Sequence, residues 1–185
     1  EVHENSCVYV TDLLEAQKTG WYFDQRDNRA LVAAHASGKS VLDVFSNAGG
    51  FGLLAAKSGA TEVTLVDGSA QALEWATQAA NLNNLRNLQT LKGDAFELMA
   101  AHDKQYDIVV ADPPAFVKTK KDIATGMKGY TKVARLSAAL VAPGGVLFIA
   151  ACSHHATPER FANAVKEGLK QAGREGEILK RTGAA

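Results

Sequence analysis

The sequence predicts an α/β fold, a mainly parallel sheet with helices on both faces, preceded by a short β-containing lead-in segment. Two observations carry this. Apolar runs of strand length alternate with segments of helical spacing, a pattern that brings strands parallel through crossover helices. Asp43, Asp67, Asp94, Asp112 and Cys152 then recur in or just after successive runs. In open α/β sheets the ligand crevice lies at the carboxyl ends of the strands, so polar or reactive residues at five such exits point to one pocket.

The 185 residues suit a single domain burying roughly 70% of its unfolded surface, enough for a core without staples. Twenty basic residues balance twenty acidic ones, so any nucleic-acid footprint must be local. No signal peptide or membrane-spanning run is evident. Cys7 and Cys152 make no disulfide framework, and a reducing cytoplasm is the expected setting. Two cysteines and five scattered histidines lack paired ligand spacing, so no metal is expected.

Residues 6–10 (SCVYV) and 20–23 (GWYF) are β-prone and predict two lead-in strands. Asp24 is then expected to cap a helix over residues 25–36, stopped by Gly38. Its polar first turn, with Gln25, Arg26, Asn28 and Arg29, reads by itself as a solvated helix end. Val41 to Phe45 form a buried strand, and Gly49, Gly50 and Gly52 open a helix closed by Gly59. Those glycines allow close backbone approach to a ligand, although a glycine-rich loop alone is a weak motif. About twenty residues on, the run Val63 to Val66 ends in Asp67, where doubly wound sheets place a carboxylate on ribose hydroxyls.

Ser69 caps the next helix, with Leu73, Ala76 and Ala80 on one face. Leu88 to Leu91 is a short strand, followed by Asp94, which reads equally as a helix cap or as a contact for an adenine amino group. The run 107–111 empties into Asp112-Pro113-Pro114-Ala115-Phe116, whose prolines impose an extended exit. Residues 117–129 read as a mobile loop, with a helix over 130–141. Lys118, Lys120, Lys121, Lys128, Lys132 and Arg135 face a single acid in that region, Asp122, and form the densest basic stretch of the chain. Charge runs usually mark solvated faces, but Lys118, Lys120 and Lys121 adjoin the expected pocket and are candidates for RNA phosphates. Pro143-Gly144-Gly145 turns into a strand over 146–151, followed by Cys152-Ser153-His154-His155. Thr157 and Pro158 start a helix with Phe161, Val165 and Leu169 along one face. Ile178 to Arg181 is expected to begin a sixth strand.

VLDVFSNAGG, Asp67, GDAF, DPPAFVK and CSHH together resemble the class I S-adenosylmethionine-dependent methyltransferases, whose sheet is Rossmann-like. Within that class the chain is most similar to the bacterial large-subunit (23S) ribosomal RNA cytosine-C5 methyltransferases, and KTGWYFDQRDNR, residues 18–29, extends the likeness. The resemblance implies S-adenosyl-L-methionine as cofactor and ribosomal RNA as partner. It implies that Asp43, Asn47 and Gly49 surround the cofactor's methionine part, that Asp67 holds the ribose, and that Asp94 and Phe96 flank the adenine. Gln25 and Arg26 would close over the cofactor, replacing the solvated-end reading. Asp112, Pro113 and Phe116 would shape the target-base pocket, with Cys152 as nucleophile. Members of the family also carry an amino-terminal RNA-binding PUA domain and a last antiparallel strand. Residues 1–24 are therefore expected to be the remnant of a lead-in segment and residues 25–185 a trimmed methyltransferase domain lacking that strand.

Carbon 5 of cytosine is a poor nucleophile, so methylating it calls for a thiolate that adds at C6. A cysteine beside the base meets that need; an isolated cysteine is otherwise a small core residue, the reading retained for Cys7. Asp112 either hydrogen-bonds the base edge or caps the turn before the prolines. His154 and His155 are proton handlers or loop residues, and the sequence leaves both open. Transfer to an exocyclic nitrogen would use the same acid-Pro-Pro-aromatic loop without needing Cys152. A nicotinamide-dependent dehydrogenase would show G-x-G-x-x-G, where this chain has Asn47-Ala48-Gly49-Gly50. A catalytically silent RNA-binding module would bind RNA without cofactor.

Overall fold

The computed structural model describes residues 1–12, 20–153 and 155–183. In chain order the strands are β1 (Val2–Glu4), β2 (Cys7–Tyr9), β3 (Ser40–Val44), β4 (Glu62–Asp67), β5 (Leu88–Lys92), β6 (Tyr106–Ala111) and β7 (Val141–Ile149). The α-helices are α1 (Arg26–Ala33), α2 (Gly50–Lys57), α3 (Ala70–Leu82), α4 (Ala95–Ala101), α5 (Ile123–Ala139) and α6 (Pro158–Gln171). Strands β3 to β7 form one parallel sheet in the order β5-β4-β3-β6-β7, and β1 pairs antiparallel with β2 in a separate ribbon. The chain runs outward from β3 through β4 and β5, then crosses back to β6 on the other side of β3. That reversal is a topological switch point, the place where such sheets bind ligands.

The central strands are mainly apolar in their middle residues because both faces are covered. Val41, Val63, Leu65, Ile108 and Val110 pack with Val32 of α1, Phe51 and Ala55 of α2, and Leu73 and Ala76 of α3. The alternate residues Leu42, Val44, Val66 and Val109 pack with Met99 of α4, Leu136 of α5 and Leu140 just past its end. Helix α2 lies so close to the sheet that a Cβ on Gly52 would stand 2.2 Å from Leu65 Cδ2 and 3.2 Å from Asp43 Oδ2. No helix of the described residues is long and apolar enough to cross a membrane.

The expected caps form: Ser69 Oγ accepts the Ala72 N–H at 3.2 Å, Asp94 Oδ1 those of Phe96 and Glu97, and Thr157 Oγ1 that of Arg160. Five expectations are corrected. Residues 20–23 form no strand; the ribbon instead joins Val2–Glu4 to Cys7–Tyr9 through Asn5 and Ser6, both at positive φ as a two-residue hairpin turn requires. Helix α1 follows a 3-10 turn, Phe23–Gln25, so Gln25 and not Asp24 precedes it, and it ends at Ala33. The expected loop over 117–129 is largely helix. Asp122 Oδ2 accepts both the backbone N–H and the hydroxyl of Thr119, and α5 then runs unbroken through Gly126 and Gly129. These are packing glycines: a Cβ on Gly126 would meet Val117 Cγ2 at 2.4 Å, and one on Gly129 would meet Phe116 Cδ2 at 3.0 Å. Finally, residues 178–181 form no strand, and Ile178 and Leu179 are 55% and 67% exposed. A strand needs a ladder partner, and these residues have none among the described ones. Strand β7 also begins at Val141, ahead of Pro143, with an irregular register between Tyr106 and Ile108.

The lead-in is built onto the domain through a buried ion pair. Arg29 Nε and Nη2 donate to Glu4 Oε1 and Oε2 at 2.7 and 2.9 Å, with both side chains under 5% exposed. Trp21 Nε1 donates to Glu4 Oε2 at 3.2 Å, and the Arg29 guanidinium lies 4.5 Å from the Trp21 ring centre. Val2, Cys7, Tyr9 and Trp21 share a core with Leu53, Leu54, Ala79 and Ala80, so Cys7 keeps its structural role.

Candidate active site

At the carboxyl end of β3 the backbone makes a left-handed staircase. Phe45, Asn47 and Gly49 have φ of 61°, 48° and 77°. A bulky residue at positive φ is strained, and such strain persists where surrounding structure holds a functional loop in place. Gly49 meets the same demand without a side chain, and a Cβ there would stand 2.9 Å from Leu65 Cδ1.

Two carboxylates brace this loop. Asp43 is 1% exposed and its Oδ2 accepts the Gly52 N–H at 2.8 Å. Burial pushes its pKa up to about 7; the Gly52 hydrogen bond opposes the shift, and the nearby Asp112 and Asp67 charges add to it. Asp67 Oδ2 accepts the Asn47 N–H and its Oδ1 the Ser69 N–H, both at 2.8 Å. Each Asp67 oxygen therefore keeps a lone pair for a ligand hydroxyl. Asp94 spends one oxygen on the start of α4 and is otherwise exposed, so the cap reading holds and leaves the second oxygen available.

The expected cofactor residues Asp43, Asn47, Gly49, Asp67 and Asp94 thus line adjacent strand exits, and Phe96 stands edge-on to Phe45 at 6.0 Å. Ser46 Oγ is buried with no hydrogen-bond partner among the described residues, a polar atom within the loop awaiting one. This set of carboxylates, backbone amides and aromatic edges fits a nucleoside bearing hydroxyl and amino groups. Gln25 and Arg26 stand apart in their contacts: Gln25 Oε1 accepts from Asn28 Nδ2 at 2.7 Å, and exposed Arg26 lies 3.9 Å from Asp27. Arg29 reaches the loop instead. A Cβ on Gly50 would meet Arg29 Cδ at 3.2 Å, and the Arg29 charge acts on Asp43. The sequence signalled Arg29 only as one polar residue among four.

The second half of the site lies past β6 and β7. The Asp112 N–H points to the Val44 carbonyl at 3.5 Å, setting half-buried Asp112 beside the exit of β3. Buried Pro113 offers its carbonyl to the Cys152 thiol at 3.6 Å, and Cys152 is exposed. Phe116 lies 6.2 Å from Phe96 and 4.9 Å from Tyr130, joining the expected adenine side to the expected base side. Buried Ser153 ties the two loops together: its Oγ accepts the Val117 N–H at 3.0 Å and shares a 2.7 Å hydrogen bond with the Tyr130 hydroxyl. Tyr130 is raised above its ordinary pKa chiefly by burial. Neither Ser153 nor Tyr130 stood out in the sequence, since a serine beside a cysteine and a helix tyrosine have unremarkable local patterns. Lys118, Lys120 and Lys121 are exposed on the segment that follows buried Val117. His154 lies outside the described residues, as do Lys18 and Thr19 of the stretch 18–29.

The chain is 39% identical over 183 residues to the Aeromonas salmonicida ribosomal RNA large subunit methyltransferase I, covering 96% of this chain and 46% of that protein. It is 36% identical over 176 residues to the Deinococcus radiodurans ribosomal RNA large subunit methyltransferase, covering 92% and 43%. The chain therefore spans less than half the length of these relatives. Its fold superposes on the crystal structure of SMU.776 complexed with SAH at a TM-score of 0.78, with 28% identity, covering 90% of this chain and 45% of the other. Residues 1–170 match the family model of S-adenosylmethionine-dependent methyltransferases. By that match, and with the switch-point geometry behind it, the chain belongs to the S-adenosylmethionine-dependent methyltransferase family.

Proposed function

We infer that this chain carries the catalytic part of a cytoplasmic ribosomal RNA methyltransferase that forms 5-methylcytosine in large-subunit RNA, with Cys152 as nucleophile. The observation that carries the reading is the exposed Cys152 thiol 3.6 Å from the Pro113 carbonyl, at the junction of the loops after β6 and β7. The names of the relatives support an RNA substrate.

S-adenosylmethionine, when bound, supplies an electrophilic methyl group. The residues that would hold it are Asp43, Asn47 and Gly49 for the methionine part, Asp67 for the ribose, and Asp94 and Phe96 for the adenine. Gln25, just ahead of α1, and Arg26, at its first position, would turn from their present partners Asn28 and Asp27 to close over it from the lead-in segment. On the other side, Asp112, Pro113 and Phe116 receive the cytosine, and Lys118, Lys120 and Lys121 hold RNA phosphates. The Cys152 thiolate contributes an electron pair to form a bond with C6, and the displaced pair makes C5 nucleophilic. Once C5 carries the transferred methyl group, water or a base takes up the C5 proton, its bonding pair restores the C5–C6 double bond, and the sulfur leaves C6 as thiolate with its own pair. Asp112 hydrogen-bonds the base edge and favours the activated form.

The acid-Pro-Pro-aromatic loop also suits transfer to an exocyclic nitrogen, so the product decides. Ribosomal RNA incubated with cofactor carrying a labelled methyl should, after digestion, show the label in 5-methylcytidine, and Cys152→Ala should abolish it. Label on a base nitrogen that survives Cys152→Ala would establish the amino-group reaction instead.

A further inference from the structure

Helix α5 carries three basic residues that the catalytic reading does not use. Lys128, Lys132 and Arg135 are spaced four and three residues apart, so they share one helix face. They span about 10 Å at the ~1.5 Å rise per residue, room for about three phosphates of a stacked strand. The Lys132 Nζ lies 4.5 Å from the centre of the Phe96 ring, so this face starts beside the site already described.

Two grooves flank the stripe, and their charges differ. The groove toward α4, about 390 Å³, sets Lys132 and Arg135 against Asp94 and Glu97. The groove toward α6, about 380 Å³, is lined by Lys128, Thr131, Lys132, Arg135, Glu167 and Gln171, three cations to one carboxylate. Glu167 accepts a hydrogen bond from Gln171 Nε2 at 2.8 Å along its own helix. Among the described residues, none of the three cations lies within ion-pair distance of an acid. Both helices press together there, since a Cβ on Gly168 would stand 2.6 Å from the Thr131 carbonyl oxygen. The groove floor is thus fixed by backbone packing.

We propose that the α5–α6 groove is a phosphate track that binds the RNA backbone flanking the target nucleotide, through Lys128, Lys132 and Arg135. The track rests on the RNA reading above and adds to it a second contact surface beyond Lys118, Lys120 and Lys121. Its contacts are to phosphates, so it positions RNA without reading sequence.

The test is the binding of a fluorescent single-stranded RNA of mixed sequence, measured by anisotropy over a salt series. Substituting Lys128, Lys132 and Arg135 together by Gln should weaken binding and flatten the slope of log K against log salt by about 2, at ~0.7 per lost phosphate contact. Glu167→Lys should do the reverse, steepening it by about 0.7. Substituting Lys39, Lys57 and Arg86, at the amino-terminal edge of the sheet, should change the slope little. The track is overturned if the α5 triple variant, folded by circular dichroism, keeps the wild-type slope, or if the edge triple lowers it equally. In either case the RNA reading stands. A wild-type chain that binds no RNA ends both.

Discussion

At the scale of one residue, Asp43 shows what burial does to a carboxylate. Its carboxyl titrates near 7 in the fold against 3.8 when unperturbed, because burial disfavours the charged form. For an acid raised in this way the unfolded chain gives up its proton first. Its contribution to stability is therefore greatest below about pH 4 and is lost as the pH climbs through about 7. A cationic ligand group placed against Asp43 favours the ionised form, so affinity for SAH should rise several-fold between about pH 6 and about pH 8. Calorimetry at the two pH values checks this, with Asp43→Asn expected to flatten the dependence. A flat wild-type profile would separate Asp43 from the cofactor. Cys152 shows a different kind of legibility: its place after the last parallel strand was readable, but its hydrogen bond to Pro113 and the Ser153–Tyr130 brace behind it depend on loops that meet only in three dimensions.

Two joints carry the site at the scale of elements. Glu4, on a three-residue strand, holds Arg29 of α1 against the start of α2. Glu4→Ala would leave a buried guanidinium without its counter-charge, and chemical denaturation should show a loss of about 3–5 kcal/mol. Replacement by Gln should recover part of it, since an amide oxygen still accepts. At the other joint, Gly126→Val would drive a side chain into Val117 and the Phe116 carbonyl, 2.4 and 2.8 Å from the Cβ position. Overpacking of this kind costs about 1–3 kcal/mol. Because Phe116 moves with it, methyl transfer to RNA should fall more than SAH affinity, a split readable by running both assays on the same variant. The sequence disclosed elements whose signals are local: β3 to β6 through apolar runs, α3, α4 and α6 through caps. It misled where the signal is tertiary. Gly126 and Gly129 look like loop residues because nothing local reveals the loop after Pro114 lying against them. Trp21 is β-prone yet serves as a buried hydrogen-bond donor to Glu4.

At the scale of the whole molecule, a parallel sheet gathers residues from the entire chain at one edge, and the reversal around β3 sets the loop after β3 beside the loop after β6. The family and the cofactor class follow from that architecture together with the motif set, both legible early because strand ends are where polar residues interrupt apolar runs. The finer claim is that Cys152 forms a covalent bond to the base. The measurement that tests it most directly uses RNA in which the target cytosine is replaced by 5-fluorocytosine, incubated with the protein and S-adenosylmethionine and resolved by denaturing electrophoresis. Fluorine cannot leave C5 as a proton does, so the account predicts a covalent protein–RNA adduct that requires cofactor and disappears in Cys152→Ala, while SAH affinity in that variant stays near the wild-type value. Continued formation of 5-methylcytosine by Cys152→Ala on ordinary RNA, or an adduct that persists without the thiol, would contradict it.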